Sequence, residues 1–221
     1  MIDFQQAREK MVDCQIRTSD VTNHELLSAF LSVPREEFVA ESHRPLAYID
    51  EDLSLAELGG EGRYLTEPAQ LSRLLQAAHI ESDDIVLVIG TGSGYSSAVI
   101  SLLAASVVSI EENEELAGFA TEKLNDLGFN NVAVVNSVHN SGLEKEAPYD
   151  VIFIDGAVEQ VPGGLLDQLA DNGKLIAVEG TGNSAVAKIC VMENGLVSKR
   201  DLMNCAIKPI PGFELEKGFE F

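Results

Sequence analysis

The residues best placed to do chemistry are three glycines, Gly90, Gly92 and Gly94, set in the stretch I-V-L-V-I-G-T-G-S-G-Y-S from Ile85 to Ser96. Glycine permits backbone conformations with φ > 0 and lets the chain approach a ligand closely. The free N–H groups at a following helix start offer donors to polar atoms. Gly90, Thr91, Gly92, Ser93, Gly94 and Tyr95 are therefore the candidate nucleotide-type binding loop. The spacing is G-x-G-x-G, distinct from the G-x-G-x-x-G dinucleotide fingerprint. A second apolar run, V-V-S-I-E from Val107, ends in Glu111. An acid about 20 residues beyond such a loop faces ribose hydroxyls in doubly wound folds, where a carboxylate accepts two hydrogen bonds. Glu111 is accordingly the expected ribose ligand. The other reading of Glu111 is a solvated acid in the run E-E-N-E-E, which supplies negative charge to the first turn of the next helix.

These residues need a strand, a tight turn and a helix to position them, and the apolar pattern supplies all three. Ile85–Ile89 reads as a buried strand, and the apolar residues after Gly94 fall at helical spacing. Further on, the pattern predicts a helix over 115–127, strands over 132–135 and 151–154, a helix over 164–169 and a strand over 174–178. Such alternation implies parallel βαβ units with right-handed crossovers. Two apolar runs, 185–192 and 197–206, are joined by Glu193-Asn194-Gly195, and Asn-Gly between such runs signals a hairpin. The expected fold is thus α/β, a doubly wound and mostly parallel sheet ending in an antiparallel hairpin.

Upstream, Phe4, Ala7, Met11, Val12 and Cys14 fit one face of a helix over 3–16. Leu26, Leu27, Phe30 and Leu31 mark a second helix that stops before Pro34. Residues 43–64 read as a long loop with Gly59, Gly60 and Gly62, a candidate lid. Thr66 and Pro68 then open a helix through Leu71 and Leu74. The chain reads as one domain, with an N-terminal helical and substrate-loop part over 1–80 and a cofactor-binding sheet over 81–221.

Composition narrows the partners. Fifteen Lys and Arg against 36 Asp and Glu give a formal net charge of −21. Such a surface repels polyphosphate at long range, which argues against a nucleic-acid substrate. No apolar run approaches the ~20 residues of a membrane span, and the N-terminus lacks a signal-peptide pattern. A cytoplasmic protein is expected, and no feature defines its oligomeric state. Cys14, Cys190 and Cys205 are far apart, as reduced structural cysteines are. His24, His43, His79 and His139 are scattered and read as surface or loop residues, with His139 near enough in sequence to the third strand to approach a nucleoside.

A parallel sheet with a G-x-G-x-G loop and a following ribose acid resembles the general layout of S-adenosylmethionine-dependent methyltransferases. The chain also resembles one family, the protein-L-isoaspartate O-methyltransferases, over nearly its whole length. The resemblance rests on V-P-R-E-E-F-V, A-Y-I-D-E-D-L, V-I-G-T-G-S-G-Y, the Ile110-Glu111 pair, A-P-Y-D-V-I, and V-P-G-G-L-L-D-Q-L-A-D-N-G-K-L. It rests too on G-R-Y-L-T-E-P, which stands where the family has a G-Q-T-I-S-x-P-like motif.

The resemblance implies S-adenosyl-L-methionine as cofactor and isoaspartyl-containing proteins or peptides as substrates. It implies that Thr66 donates a hydrogen bond to the substrate carboxylate, and that Asn136, Ser137 and Val138 lie beside the adenine. Thr66 also reads as an N-cap of the helix that follows it. The chain departs from the family at Val88, where an acid is usual, and at Asn136-Ser137-Val138, where G-D-G is usual. It departs again after Ile207, where I-K-P-I-P-G-F-E-L-E-K-G-F-E-F replaces the family's F-V-P-L-like end. Asp155 resembles the metal ligand of catechol-type O-methyltransferases, but Glu179-Gly180 stands where those enzymes have Asp-Asn, so no metal is expected.

Overall fold

The computed structural model describes residues 2–214. Their centre is a seven-stranded sheet of order β5-β4-β3-β6-β7-β8-β9. Its strands are β3 (Ile85–Ile89), β4 (Ser106–Glu111), β5 (Val132–Asn136), β6 (Tyr149–Val158), β7 (Leu169–Glu179), β8 (Val186–Glu193) and β9 (Leu196–Asn204). The strands from β5 to β7 are parallel, while β7–β8 and β8–β9 are antiparallel. Asn194 and Gly195, at φ 51° and 77°, make the turn from β8 to β9 as their types predict.

Because β4 and β5 step away from β3 on one side and β6 lies on the other, the strand order reverses between β3 and β6. In open α/β sheets that reversal leaves a crevice beyond the strand ends, where ligands bind. The glycine loop leaves β3 at this point.

The two faces of the sheet are covered unequally. On one face Val86 and Val88 of β3 pack with residues of α1 (Phe4–Met11), α2 (His24–Ser32), α3 (Pro68–Ala78), α4 (Tyr95–Ser101) and α5 (Glu114–Asp126). On the other, Leu87 and Ile89 meet α6 (Gly163–Leu166) together with Ile210 and Phe213. Both faces of β3 are apolar because both are covered, which is why its sequence is a continuous apolar run. Val88 is wholly buried in the first face.

The N-terminal helix keeps its α-form only to Met11 and continues as a wider π-helical turn over Val12–Ile16. Met11, Val12 and Ile16 carry its buried face, while Cys14 lies exposed. The expected single stripe is therefore corrected at Cys14: widening the turn rotates that residue outward.

Residues 43–64 are also corrected. In place of a long loop there are short 3₁₀ turns and an antiparallel hairpin of β1 (Leu53–Leu55) and β2 (Gly60–Leu65). Leu53, Leu55 and Leu65 point inward from it, a pattern too short to stand out in the sequence.

Candidate functional site

The loop glycines adopt φ 76° at Gly90, 56° at Gly92 and 97° at Gly94, conformations that side chains disfavour. Gly90 N and Thr91 N both donate to the carbonyl of Ile110, at 2.9 and 3.3 Å, so the loop is tied to the end of β4. Beneath it runs a buried hydroxyl chain, Thr91 to Ser97 at 2.6 Å and Ser97 to Ser109 at 2.7 Å. The ring of Tyr95 packs edge-on against Phe38, with centroids 5.7 Å apart, and lies under the Arg35 guanidinium. Thr91 and Tyr95 thus brace the loop from below. Ser93 Oγ is buried without a hydrogen-bond partner.

Glu111 lies at the end of β4 and is fully buried, which removes the solvated-acid reading. One carboxylate oxygen accepts from Gly92 N at 2.9 Å and from Arg63 Nη2 at 3.0 Å. The other accepts from Asn113 N at 3.2 Å and stands 3.4 Å from His139 Nε2. Burial pushes this carboxyl up, but the Arg63 charge and the backbone N–H of Asn113 act against it and bring it down. The result lies below the usual glutamate range.

Arg63, from β2, is 3% exposed and donates from the same Nη2 to the Gly90 carbonyl at 2.9 Å. Its Nε and Nη1 are buried without partners. It enters the site because β2 runs past the glycine loop. Its position in G-R-Y-L-T-E-P gave no sign of this, since one arginine in a glycine-flanked stretch reads as a surface residue.

The segment at the end of β5 is also drawn in. Asn136 Nδ2 donates to the carbonyls of Glu111 and Glu112, at 2.9 and 3.0 Å, and Ser137 N donates to that of Glu111 at 3.2 Å. The Val138 side chain is half exposed. His139 is wholly buried, which corrects its expected surface position. Its Nε2 accepts from Glu112 N at 3.1 Å, and Nδ1, the protonated nitrogen in that tautomer, donates to the Pro211 carbonyl at 3.1 Å. The partner that buries it comes from the far end of the chain, where no local pattern could point to it.

Thr66 stands at the end of β2 beside a second buried carboxylate. Its hydroxyl donates to Asp155 Oδ1 at 2.9 Å, and both side chains are buried. The expected N-cap role is corrected: Glu67 occupies the cap position without a side-chain cap bond. The carboxylates of Asp52 and Asp50 take the free N–H groups of Glu67 and Ala69, both at 3.0 Å. Arg35 fixes the backbone here, donating to the carbonyls of Ala47 and Thr66 at 2.8 and 2.9 Å. Burial pushes the Asp155 carboxyl above its usual range. The nearby Ser96 hydroxyl, the hydrogen bond from Thr66 and the charges of Arg63 and Arg35 oppose that shift without cancelling it.

Among the described residues there is no cluster of three or more His, Cys, Asp or Glu arranged to hold a metal ion. The loop glycines, Glu111 and the end of β5 are residue types suited to a nucleoside, and the glycines are closely packed. A methyl group on Gly90 would come within 3.1 Å of Ile210 Cδ1 and 3.3 Å of Arg63 Nη2. One on Gly92 would lie 3.0 Å from Leu55 Cδ1. Arg63, Ile210 and Leu55 thus pack directly against the loop glycines.

The parallel sheet, the glycine loop at its switch point and the acid closing the next strand define the class of S-adenosylmethionine-dependent methyltransferase folds. Residues 6–214 match the family model described as protein-L-isoaspartate(D-aspartate) O-methyltransferase. The chain belongs to that family. It is similar to a protein-L-isoaspartate O-methyltransferase of Koribacter versatilis, at 34% identity over 93% of this chain and 90% of the relative. One of Protochlamydia amoebophila is 42% identical over 75% of this chain and 77% of its own. A solved protein-L-isoaspartate O-methyltransferase superposes with a TM-score of 0.81 at 26% identity, over 93% of this chain and 66% of that one. A Plasmodium falciparum structure of the fold, in complex with S-adenosyl-L-homocysteine, gives a TM-score of 0.78 at 19% identity. It covers 95% of this chain and 98% of its own.

Proposed function

We propose that the chain carries out the family's reaction, S-adenosylmethionine-dependent methylation of the carboxylate of L-isoaspartyl residues in damaged proteins. The observation that carries this reading is the family match across residues 6–214. The acceptor side of the site suits the chemistry. A carboxylate acceptor is already an anion at neutral pH, so transfer to it needs alignment and exclusion of water more than a base. Thr66 lies buried at the end of β2 with its backbone held by Arg35, and its hydroxyl would have to turn from Asp155 to donate to the acceptor carboxylate. The cofactor side would use Gly90 to Gly94, with Glu111 toward the ribose and Asn136 to Val138 toward the adenine. Arg63 and Ile210 flank that loop at Gly90.

The chain's strong negative charge disfavours nucleic acid as acceptor. No helix among the described residues is long and apolar enough to cross a membrane. Three free cysteines are consistent with a reducing, cytoplasmic setting.

The test is transfer of labelled methyl from S-adenosylmethionine to an isoaspartyl peptide, with the aspartyl peptide of the same sequence as control. Base-labile label on the isoaspartyl peptide alone is expected. If folded protein labels neither peptide, the filled site favours a second reading: a relative that has kept the fold and given up transfer.

A further inference from the structure

Three independent features fill the space beside the glycine loop with the chain's own atoms. Arg63 Nη2 bridges the Gly90 carbonyl and Glu111, one polar group from each side of the place a nucleoside would occupy. His139 takes the Glu112 N–H next to that acid. The segment after β9 crosses the end of β6, where Ala157 N donates to the Lys208 carbonyl at 2.9 Å and Ile210 N to the Ala157 carbonyl at 3.0 Å. That crossing sets Ile210 against Gly90.

We propose that Arg63 is a positioning residue that gates the nucleoside site, holding Glu111 while no ligand does and leaving it when one binds. This rests on the reading that the site takes S-adenosylmethionine. A carboxylate paired with a guanidinium and a backbone N–H has spent one oxygen, so a ribose can reach that oxygen only after Arg63 has moved. Arg63 is also suited to leaving. Only Nη2 has partners, whereas Nε and Nη1 are buried donors with none, so the closed arrangement satisfies a small part of the guanidinium's hydrogen-bonding capacity. The Ile210 contact adds to the closure but makes no hydrogen bond from its side chain. Arginine stands here where the family motif has glutamine, a neutral residue with no charge to hold against Glu111.

The experiment is surface plasmon resonance on the immobilised full chain, with S-adenosyl-L-homocysteine as probe, comparing the parent with Arg63→Gln. Melting of both proteins without ligand establishes that each is folded. Binding that waits on a conformational change has a low association rate. The expected result is an association rate constant at least tenfold higher in Arg63→Gln, with the dissociation rate changed less than threefold. Should Arg63→Gln fail to fold, Arg63→Lys is read instead, since its side chain ends one atom short of the Nη2 that holds both acceptors. A rise of at least threefold in association rate is then expected. Equal association rates, or slower association in the variant, overturn the gate and leave the cofactor reading standing. No binding by either folded protein overturns both.

Discussion

Two carboxylates lie buried on β4 and β6, and the fold treats them in opposite ways. Glu111 is met by a guanidinium and two backbone N–H groups and is held ionised. Asp155 is met by the Thr66 hydroxyl, with both arginines acting from a distance, and its burial is not fully offset. An acid that is fully paired acts as part of the scaffold, whereas one raised above its usual range is a group the structure has not stabilised for its own sake. Perturbed groups of that kind cluster at functional sites. Asp155 is therefore where the fold keeps a perturbed group, and the surroundings of Glu111 are where it has closed on itself.

The comparison is broken most severely by removing Glu111. Glu111→Ala leaves Arg63 as a buried cation with only a carbonyl for a partner, and loss of one member of a buried pair costs about 3–5 kcal/mol. Urea denaturation of the variant checks this, and a loss below about 1 kcal/mol would mean that the pair is not the buried unit described here. On the acceptor side, Thr66→Val removes the donor to Asp155 while keeping the volume. A buried acceptor left short of its bond costs about 1–3 kcal/mol, read in the same denaturation experiment.

Asp155→Asn should act in the other direction. It removes a charge that burial disfavours, so at pH 7 the variant should gain roughly 0.5–1.5 kcal/mol, provided the amide accepts from Thr66. Because the folded carboxyl lies above its unfolded value, its contribution to stability is present at low pH. That contribution is lost as pH rises through the folded value. The gain on substitution should accordingly shrink as the pH is lowered into the carboxylate range. Glu111 has the opposite sign: its folded value is depressed, so its contribution is present above the usual glutamate range and lost as pH falls through the depressed value. Thermal melts of the parent between pH 3 and 5 should show that loss, and Arg63→Gln should flatten it. The smallest effect is expected at Cys14, outside both regions and exposed, where Cys14→Ser should change stability by no more than about 0.5 kcal/mol.

How much of this could be read in the sequence follows the range of the forces involved. The strands, the glycine loop and the Asn194-Gly195 turn are local patterns, and the boundaries found differ from those expected by a few residues in most elements. The larger extensions, β6 and β7, grow where adjacent strands continue the ladder beyond the apolar run. The place of Glu111 beside the loop was legible because its distance from the loop is set by one βαβ unit. Its partners were not, since Arg63 lies 48 residues before it and His139 is fixed by Pro211, 72 residues further on. Thr66 was found, but its bond to Asp155 spans 89 residues and joins two elements with no sequence link. The acids at Asp50 and Asp52 that cap α3 read as part of a loop because a cap supplied from a distant turn leaves no S/T-x-x-E signature. Val88 packs in the apolar layer under the sheet, so replacing it with an acid would bury a charge and would not restore a cofactor ligand.

The central claim is that the two buried carboxylates are held on opposite sides of their ordinary ranges, with the Arg63 charge among the groups that hold Glu111 down. Carbon-detected NMR titration of the side-chain carboxyls of Glu111 and Asp155 in the ligand-free protein tests it most directly. The account predicts that Glu111 titrates below the usual glutamate range and Asp155 above the usual aspartate range, and that Arg63→Gln moves Glu111 upward. A Glu111 that titrates at or above its ordinary value in the parent, unmoved by Arg63→Gln, would contradict it.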